Sequence, residues 1–521
     1  MTLSERANLH SRVFTAGLIF LSLGMLFSGP VASISLLLLG INWFAEGNYP
    51  ERLRNFWKNK PAVLLCSFFL IHFIGLAWSS DLDYGLSDVR IKVPLFVLPF
   101  ILSTSPRMNS DHFRLFCGLF VLGVIVSTLI SLCILKGLLP IEVHDIRDIS
   151  FFISHIRLSL MICLSIFMLV YFLPRYPSMG LRILFILSIL WLVVFLGIIE
   201  SLTGLSILMI VSVILGVAYF NSHRPLLGRI LLGGVLLILG LMVYQVYSIS
   251  RSFREVKPVR LATLLPVTQD GNLYMNDTTS LMVENGTYVR LEVCWIELKT
   301  GWEKRSSIPF DQKDKKGNLL ASTLLRYMAS KGLFKKDSKT FATLSDDDIR
   351  SIENGITNYK YPNLSSLNAR IYETIWEMDV YKKGENPSGH SMTMRIEFWR
   401  AGWHIFKQHL LYGTGTGDVK NAFIKQYKAD QSKLLERWQL RGHNQYLAIA
   451  IAFGLPGILF FLFSLIYPLV QSKMYQNYFY AVFFIIMVVS MITEDTLETQ
   501  AGATFYALFN SVFLFSMPKE A

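Results

Sequence analysis

The segment Arg441-Gly-His443-Asn444-Gln-Tyr-Leu, followed by an apolar stretch and then Gly454-Leu-Pro-Gly457, sets a histidine where a polar region enters a span-length apolar run. A histidine in that position meets water and bilayer headgroups together and can exchange a proton near neutral pH. Capping or bracing the helix is the competing role for the same residue. Other ionisable groups stand at the edges of apolar runs: Arg90, His155, Arg157, Glu200, Arg395, Arg441, Glu494 and Asp495. Such groups are expensive to hold at a membrane boundary, so each is a functional candidate, although long cationic side chains also snorkel there as anchors. The turn Thr493-Glu494-Asp495-Thr496-Leu497-Glu498 could orient His443 or bind a cation. Two adjacent carboxylates do not make a metal site, and solvated loop charge explains them as well. Gly413, Gly415 and Gly417 resemble a nucleotide fingerprint only in composition, because no strand-turn-helix frame surrounds them. They read instead as a tight turn returning the helix that carries Arg395 to the membrane.

The elements that position these groups follow from composition. The chain has 521 residues, of which 52% are hydrophobic and only 17% charged, against roughly 25% charged in a soluble domain. The net charge of +12 is spread between long apolar runs, so it forms no patch for nucleic acid. Cys66, Cys117, Cys133 and Cys163 lie in apolar runs and Cys294 stands alone, which leaves no disulfide framework and no CxxC metal site. The basic stretch before the first apolar run superficially resembles a signal peptide, but Gly29-Pro30 leads straight into a second run, so the reading is a retained first span.

A span-length window finds about twelve apolar runs. They are centred near Leu21, Leu38, Phe69, Val97, Leu122, Ile166, Leu190, Val211, Leu236, Phe460, Ile485 and Phe513. The fourth is short and opens on Arg90 and Lys92. Basic residues gather in alternate connectors, which by the positive-inside rule puts both termini in the cytoplasm and the intervening connectors outside. The expected architecture is an all-α polytopic membrane protein of the bacterial inner membrane. Residues 1–248 form an N-terminal bundle of about nine spans, 249–441 a large periplasmic region, and 442–521 a C-terminal bundle of about three spans. In the external region Asp270-Gly271 and Asn285-Gly286 are hairpin-turn signals, and runs such as Tyr288 to Ile296 are β-like. Leu319 to Lys331, Asp346 to Gly355 and Leu367 to Tyr381 have helical spacing, with Ser345 and Asp346 able to cap. A mixed α/β lobe between the ninth and tenth spans is therefore expected.

A His-Asn pair, nine residues, Gly, two residues and Gly, as in His443 to Gly457, resembles the signature of the bacterial O-antigen ligase and O-antigen polymerase superfamily. Arg395-Ile-Glu-Phe-Trp399 and the Gly413 to Gly417 turn are similar to the stretch that precedes that signature. The resemblance implies a metal-independent glycosyltransferase that needs no cofactor and moves a glycan from undecaprenyl pyrophosphate to an acceptor hydroxyl in the periplasm. It further implies His443 as base, Asn444 positioning it or the sugar, and Arg90, Arg157, Arg395 and Arg441 holding the donor pyrophosphate. Guanidinium groups suit that task by remaining charged and binding phosphate oxygens in a fork. His155, Glu494, Asp495, Gly454 and Gly457 are the supporting residues. One departure stands out: after the seventh span the family commonly has an arginine, whereas this chain reads Ser201-Leu-Thr-Gly204, so either Arg157 supplies that charge or donor binding differs here. Ligation to lipid A core is the leading expectation. Polymerisation of repeat units and transfer to protein share the signature, and a lipid-linked sugar flippase or transporter is the reading from another class. Transporters tend to place charge near mid-membrane and to show two matching halves, and neither is visible here.

Overall fold

The computed structural model describes residues 3–518 apart from 144–145, 224, 257–258, 260–262, 280–281 and 364–365. The chain divides into two compact units. The first comprises Met1–Gly228, Glu397–Ser432 and Gln439–Ala521; the second comprises Arg229–Ile396 and Lys433–Trp438.

The first unit is a bundle of apolar helices. Across the described residues nine helices are long and apolar enough to cross a membrane, eight of them in this unit or beginning it: Asn8–Phe27, Gly29–Glu46, Lys60–Trp78, Ser110–Leu135, His155–Arg175, Met179–Ile198, Leu202–Ser222 and Gln445–Gln471. The ninth, Leu232–Arg251, belongs to the second unit. The chain is thus a multi-pass membrane protein. The remaining three expected spans are shorter helices, and each has a physical reason. Around Val97, Leu82–Lys92 and Pro94–Thr104 are separate helices, because Pro94 has no N–H to continue the ladder. Tyr478–Thr493 has 16 residues, fewer than the ~20 a perpendicular crossing uses. Near Phe513, Gln500–Ser511 passes into a π-helical turn at Val512–Ser516. This last segment is buried from Gly502 to Pro518, the pattern of a helix surrounded on every side. It packs against Pro94–Thr104 and Leu3–Phe27, with the Phe509 ring 4.7 Å from Phe120 and tilted 60° to it.

In the second unit, Met282, Leu298, Trp302, Leu324, Met328, Ile352 and Trp376 belong to one apolar core. The helices Leu320–Ser330, Asp346–Glu353 and Ser366–Lys382 stand where helical spacing predicts them, and Ser345 closes a reciprocal capping box with Asp348. Strand content is smaller than expected. Val283–Glu284 pairs antiparallel with Thr287–Tyr288 around Asn285 and Gly286, whose φ values of 46° and 80° suit a tight hairpin. The β-like run from Tyr288 to Ile296 stops early: Glu292 is left-handed at φ 46°, and a helix begins at Trp295. Among the described residues the lobe is therefore mostly helical, with short β pairings.

Candidate functional site

The site is built on two glycine turns that fit into each other. Helix Gln445–Gln471 is interrupted at Gly454, whose φ of 66° and ψ of −162° are not helical. Pro456 has no N–H for the carbonyl of Ala452, and the Leu455 N–H turns away to donate to Leu410 O at 2.7 Å. The carbonyls of Ile451 and Ala452 lose their helical partners. They accept instead from Thr414 N at 2.8 Å and Gly415 N at 3.0 Å, so the Gly413 to Gly417 turn satisfies the kink. The approach leaves no room for side chains: a Cβ at Gly413 would meet the Ala452 carbonyl at 2.2 Å, and one at Gly454 would meet Leu410 O at 2.4 Å.

The kink fixes the helix end that carries His443. Asn444 is the N-cap, its Oδ1 accepting from Leu447 N at 2.8 Å while its Nδ2 donates to Ile492 O at 2.8 Å. Both side-chain atoms of Asn444 are thereby engaged in tying the helix start to the end of Tyr478–Thr493. His443, one residue earlier, is left-handed at φ 42°. Trp399 Nε1 donates to Gly442 O at 2.9 Å, and the Phe398 ring lies 5.7 Å from the His443 ring. The Arg395 to Trp399 stretch therefore braces the histidine turn through its two aromatic residues.

His443 Nδ1 stands 3.6 Å from Asp495 Oδ1, an ion-pair distance that is long for a hydrogen bond. Glu494 joins them, the three groups bringing ligand atoms within 4.8 Å of one another. A divalent cation could bridge such a set, yet Arg441 Nη2 already lies 3.7 Å from Asp495 Oδ2 and supplies positive charge there. Arg441 also reaches Glu498 at 3.4 Å and Tyr84 OH at 3.2 Å. Glu498 is the centre of a buried network: it accepts from Lys92 Nζ at 2.8 Å and from Gln445 Nε2 at 3.0 Å. Lys92 is 1% exposed and is held from its other side by Asp88 at 2.6 Å. Burial would raise the Glu498 carboxyl, but Lys92 and Arg441 overcome it and hold the group well below the usual carboxylate range. At Asp88 burial prevails over Lys92 and the pKa rises. Burial also works against the Arg441 charge, and Glu498 and Asp495 keep it fully protonated. A small cavity of about 20 Å³, lined by His72, Lys92, Arg441 and Glu498, lies within the network; that is room for one water.

Residues 354–462 match the O-antigen ligase family model. The match bears out the resemblance to the O-antigen ligase and polymerase superfamily and supports a ligase- or polymerase-type function. No curated protein matches the chain. The matched segment contains Arg395, both glycine turns, Arg441, His443 and Asn444, whereas Asp495 and Glu498 come from beyond it.

Of the residues expected at an O-antigen ligase site, the structure brings together Arg441, His443, Asn444, Glu494 and Asp495, with Gly454 and Gly457 in the helix behind them. Arg90 is exposed and has no ion-pair partner among the described residues; Lys92, two positions on, enters the network in its place. Arg157 donates to Ser154 Oγ at 3.2 Å where His155 opens its helix. One turn further, Ser159 donates to Ser201 at 2.7 Å, and a Cβ at Gly204 would meet Ser159 Cβ at 2.8 Å. The segment lacking the family's arginine thus packs beside the turn that carries Arg157. Arg395 lies in the second unit, in the helix Ser391–Gln408. Tyr84, Asp88, Lys92 and Gln445 are not among the residues expected at the site, and Glu498 is expected only as part of the acidic turn Thr493 to Glu498. Asp88 and Lys92 do carry a signal, an i,i+4 charge pair at the mouth of an apolar run.

Proposed function

We propose that the protein transfers a glycan from undecaprenyl pyrophosphate to an acceptor hydroxyl at the periplasmic face of the bacterial inner membrane, with lipid A core as acceptor. The observation that carries this reading is the His443–Asp495 pair, 3.6 Å apart, in which His443 stands on the signature turn of the matched segment and Asp495 comes from beyond it. His443 takes the proton of the acceptor hydroxyl as its oxygen bonds to the anomeric carbon and the bond from that carbon to the phosphate oxygen breaks. Asp495 orients the imidazole and offsets the charge it acquires. The departing pyrophosphate needs positive charge aimed at it. Arg157, Arg90 and Arg395 are the candidates for that task. Arg441 is matched to two carboxylates, so its first effect is to hold the acidic turn in register with His443.

The test is glycan display in cells deleted for this gene and complemented with wild type or His443→Ala, read as the lipopolysaccharide gel profile and the carrier-linked glycan. Loss of long glycan from lipid A with full-length polymer left on the carrier is the expected result. A single repeat retained on lipid A would mean polymerisation. Unchanged lipopolysaccharide would direct the search to glycoproteins or to a transport role, and a fully active His443→Ala protein would remove the proposed base.

A further inference from the structure

The second unit carries a ribbon whose outward face is apolar. Val267 and Leu273 pair antiparallel, with Thr268 N donating to Asn272 O at 2.8 Å and Tyr274 N to Pro266 O at 2.9 Å across the Asp270-Gly271 turn. Side chains alternate along each arm. Thr268 and Tyr274 face inward and are buried, where Tyr274 bonds Asp337. Leu265, Val267, Leu273 and Met275 share the other face, and they are 41%, 44%, 76% and 59% exposed. Trp295 extends that face, its Nε1 donating to Met275 Sδ at 3.3 Å, and Ile296 beside it is 68% exposed. The outward face of a hairpin in water is ordinarily polar, and a contiguous apolar surface marks a contact with something apolar.

The same unit indicates what that is. Its first element is the helix Pro225–Arg254, whose apolar window Leu232–Arg251 is long enough to cross a membrane and has none of its length buried inside the protein. Tyr244 and Tyr247 are exposed in its C-terminal half, the residue type that settles at the headgroup level. Leu265 follows Arg254 by eleven residues, a tether of at most about 40 Å. Among the described residues the ribbon is the first paired structure after that helix, and its exposed leucine, valine and methionine side chains, with the neighbouring tryptophan, match an interfacial segment, in which an apolar face sinks among the headgroups and upper acyl chains.

We infer that the face formed by Leu265, Val267, Leu273, Met275, Trp295 and Ile296 rests in the headgroup–acyl boundary of the bilayer and anchors the lobe to the leaflet. The inference stands apart from the transfer chemistry and needs only that Pro225–Arg254 crosses the membrane. Full-length protein is labelled with bimane at Leu273→Cys or Ile296→Cys and reconstituted in phosphatidylethanolamine and phosphatidylglycerol vesicles containing phosphatidylcholine with a nitroxide near the top of the acyl chain. Arg350→Cys, in an exposed position of helix Asp346–Glu353, is the aqueous control, and labelled wild type corrects for the native cysteines. Emission at Leu273 at least twofold lower than in nitroxide-free vesicles, with no change at Arg350, is expected, and Ile296 should follow it. Indifference to the nitroxide at both positions together with quenching by aqueous iodide would overturn the inference. Protection from both quenchers would overturn it in favour of a protein partner.

Discussion

At the scale of single residues the site divides into the His443–Asp495 pair, proposed to handle the proton, and a buried charge network beside it. His443→Ala should lower turnover of the purified protein by about 10²–10⁴, the range of a lost general base. Asp495→Asn should lower turnover less and leave KM for the acceptor nearly unchanged, because the base remains but is no longer oriented; steady-state kinetics on a lipid-linked donor checks both. Lys92 makes a different prediction. Removing one partner of a buried ion pair costs about 3–5 kcal/mol, so Lys92→Met should strongly lower the midpoint of thermal unfolding in detergent. Adding Asp88→Asn should recover part of the loss, since one of the two carboxylates left facing the gap is then neutral. An equal loss in both variants would show that Asp88 takes up a proton once Lys92 is gone. His443 was legible in the sequence because its motif is local. Lys92 and Glu498 were not, because they meet across 406 positions and only the fold brings an acidic turn onto a lysine at the start of an apolar run.

At the scale of elements, the signature glycines act as a pair of turns rather than as separate hinges. Gly413→Ala should abolish accumulation of folded protein in the membrane, since its φ of 67° disfavours a side chain and the new Cβ would meet the Ala452 carbonyl at 2.2 Å. Gly233→Ala, with nothing within 4 Å of the added atom, should accumulate as wild type. Immunoblots of membranes and fluorescence-detected size exclusion distinguish the two. The spacing of Gly454 and Gly457 was readable without the structure, but its reason was not: a carbonyl freed by Pro456 needs a donor, and that donor lies some 40 residues earlier in the Gly413 to Gly417 turn. Helices of the lobe were legible where local chemistry writes them, as at the Ser345 cap. The run Tyr288 to Ile296 misled because β-branched and aromatic composition is local while the left-handed turn at Glu292 is set by packing, with Glu292 N–H donating to Asn276 and its carbonyl accepting from Lys336.

At the scale of the whole molecule the two units are held by different forces, and acid should separate them. The first unit is mostly apolar helix, and lipid contact does not titrate. The lobe relies on buried carboxylates with dedicated donors. At Asp348 burial acts to raise the pKa, but Lys331, Tyr327 and Ser345 overcome it and hold the group below its usual range. Asp337 is lowered in the same way by Tyr274 and Thr340, and Glu297 by Ser338, Thr268 and Asn272. A carboxyl whose folded pKa is depressed binds fewer protons folded than unfolded once the pH falls into the unfolded range of roughly 4. Its stabilisation is present above that range and is lost as the pH falls through the folded value. Hydrogen exchange on the full-length protein should therefore show peptides from Trp295–Glu303, Leu320–Ser330 and Asp346–Glu353 losing protection below about pH 4, while those from Ser110–Leu135 and Gln500–Ser511 keep theirs. Asp348→Asn should exchange faster than wild type at pH 7 and lose less on acidification, because the titrating group is gone. A lobe that stays protected at pH 3 would mean that its core outweighs these three carboxylates.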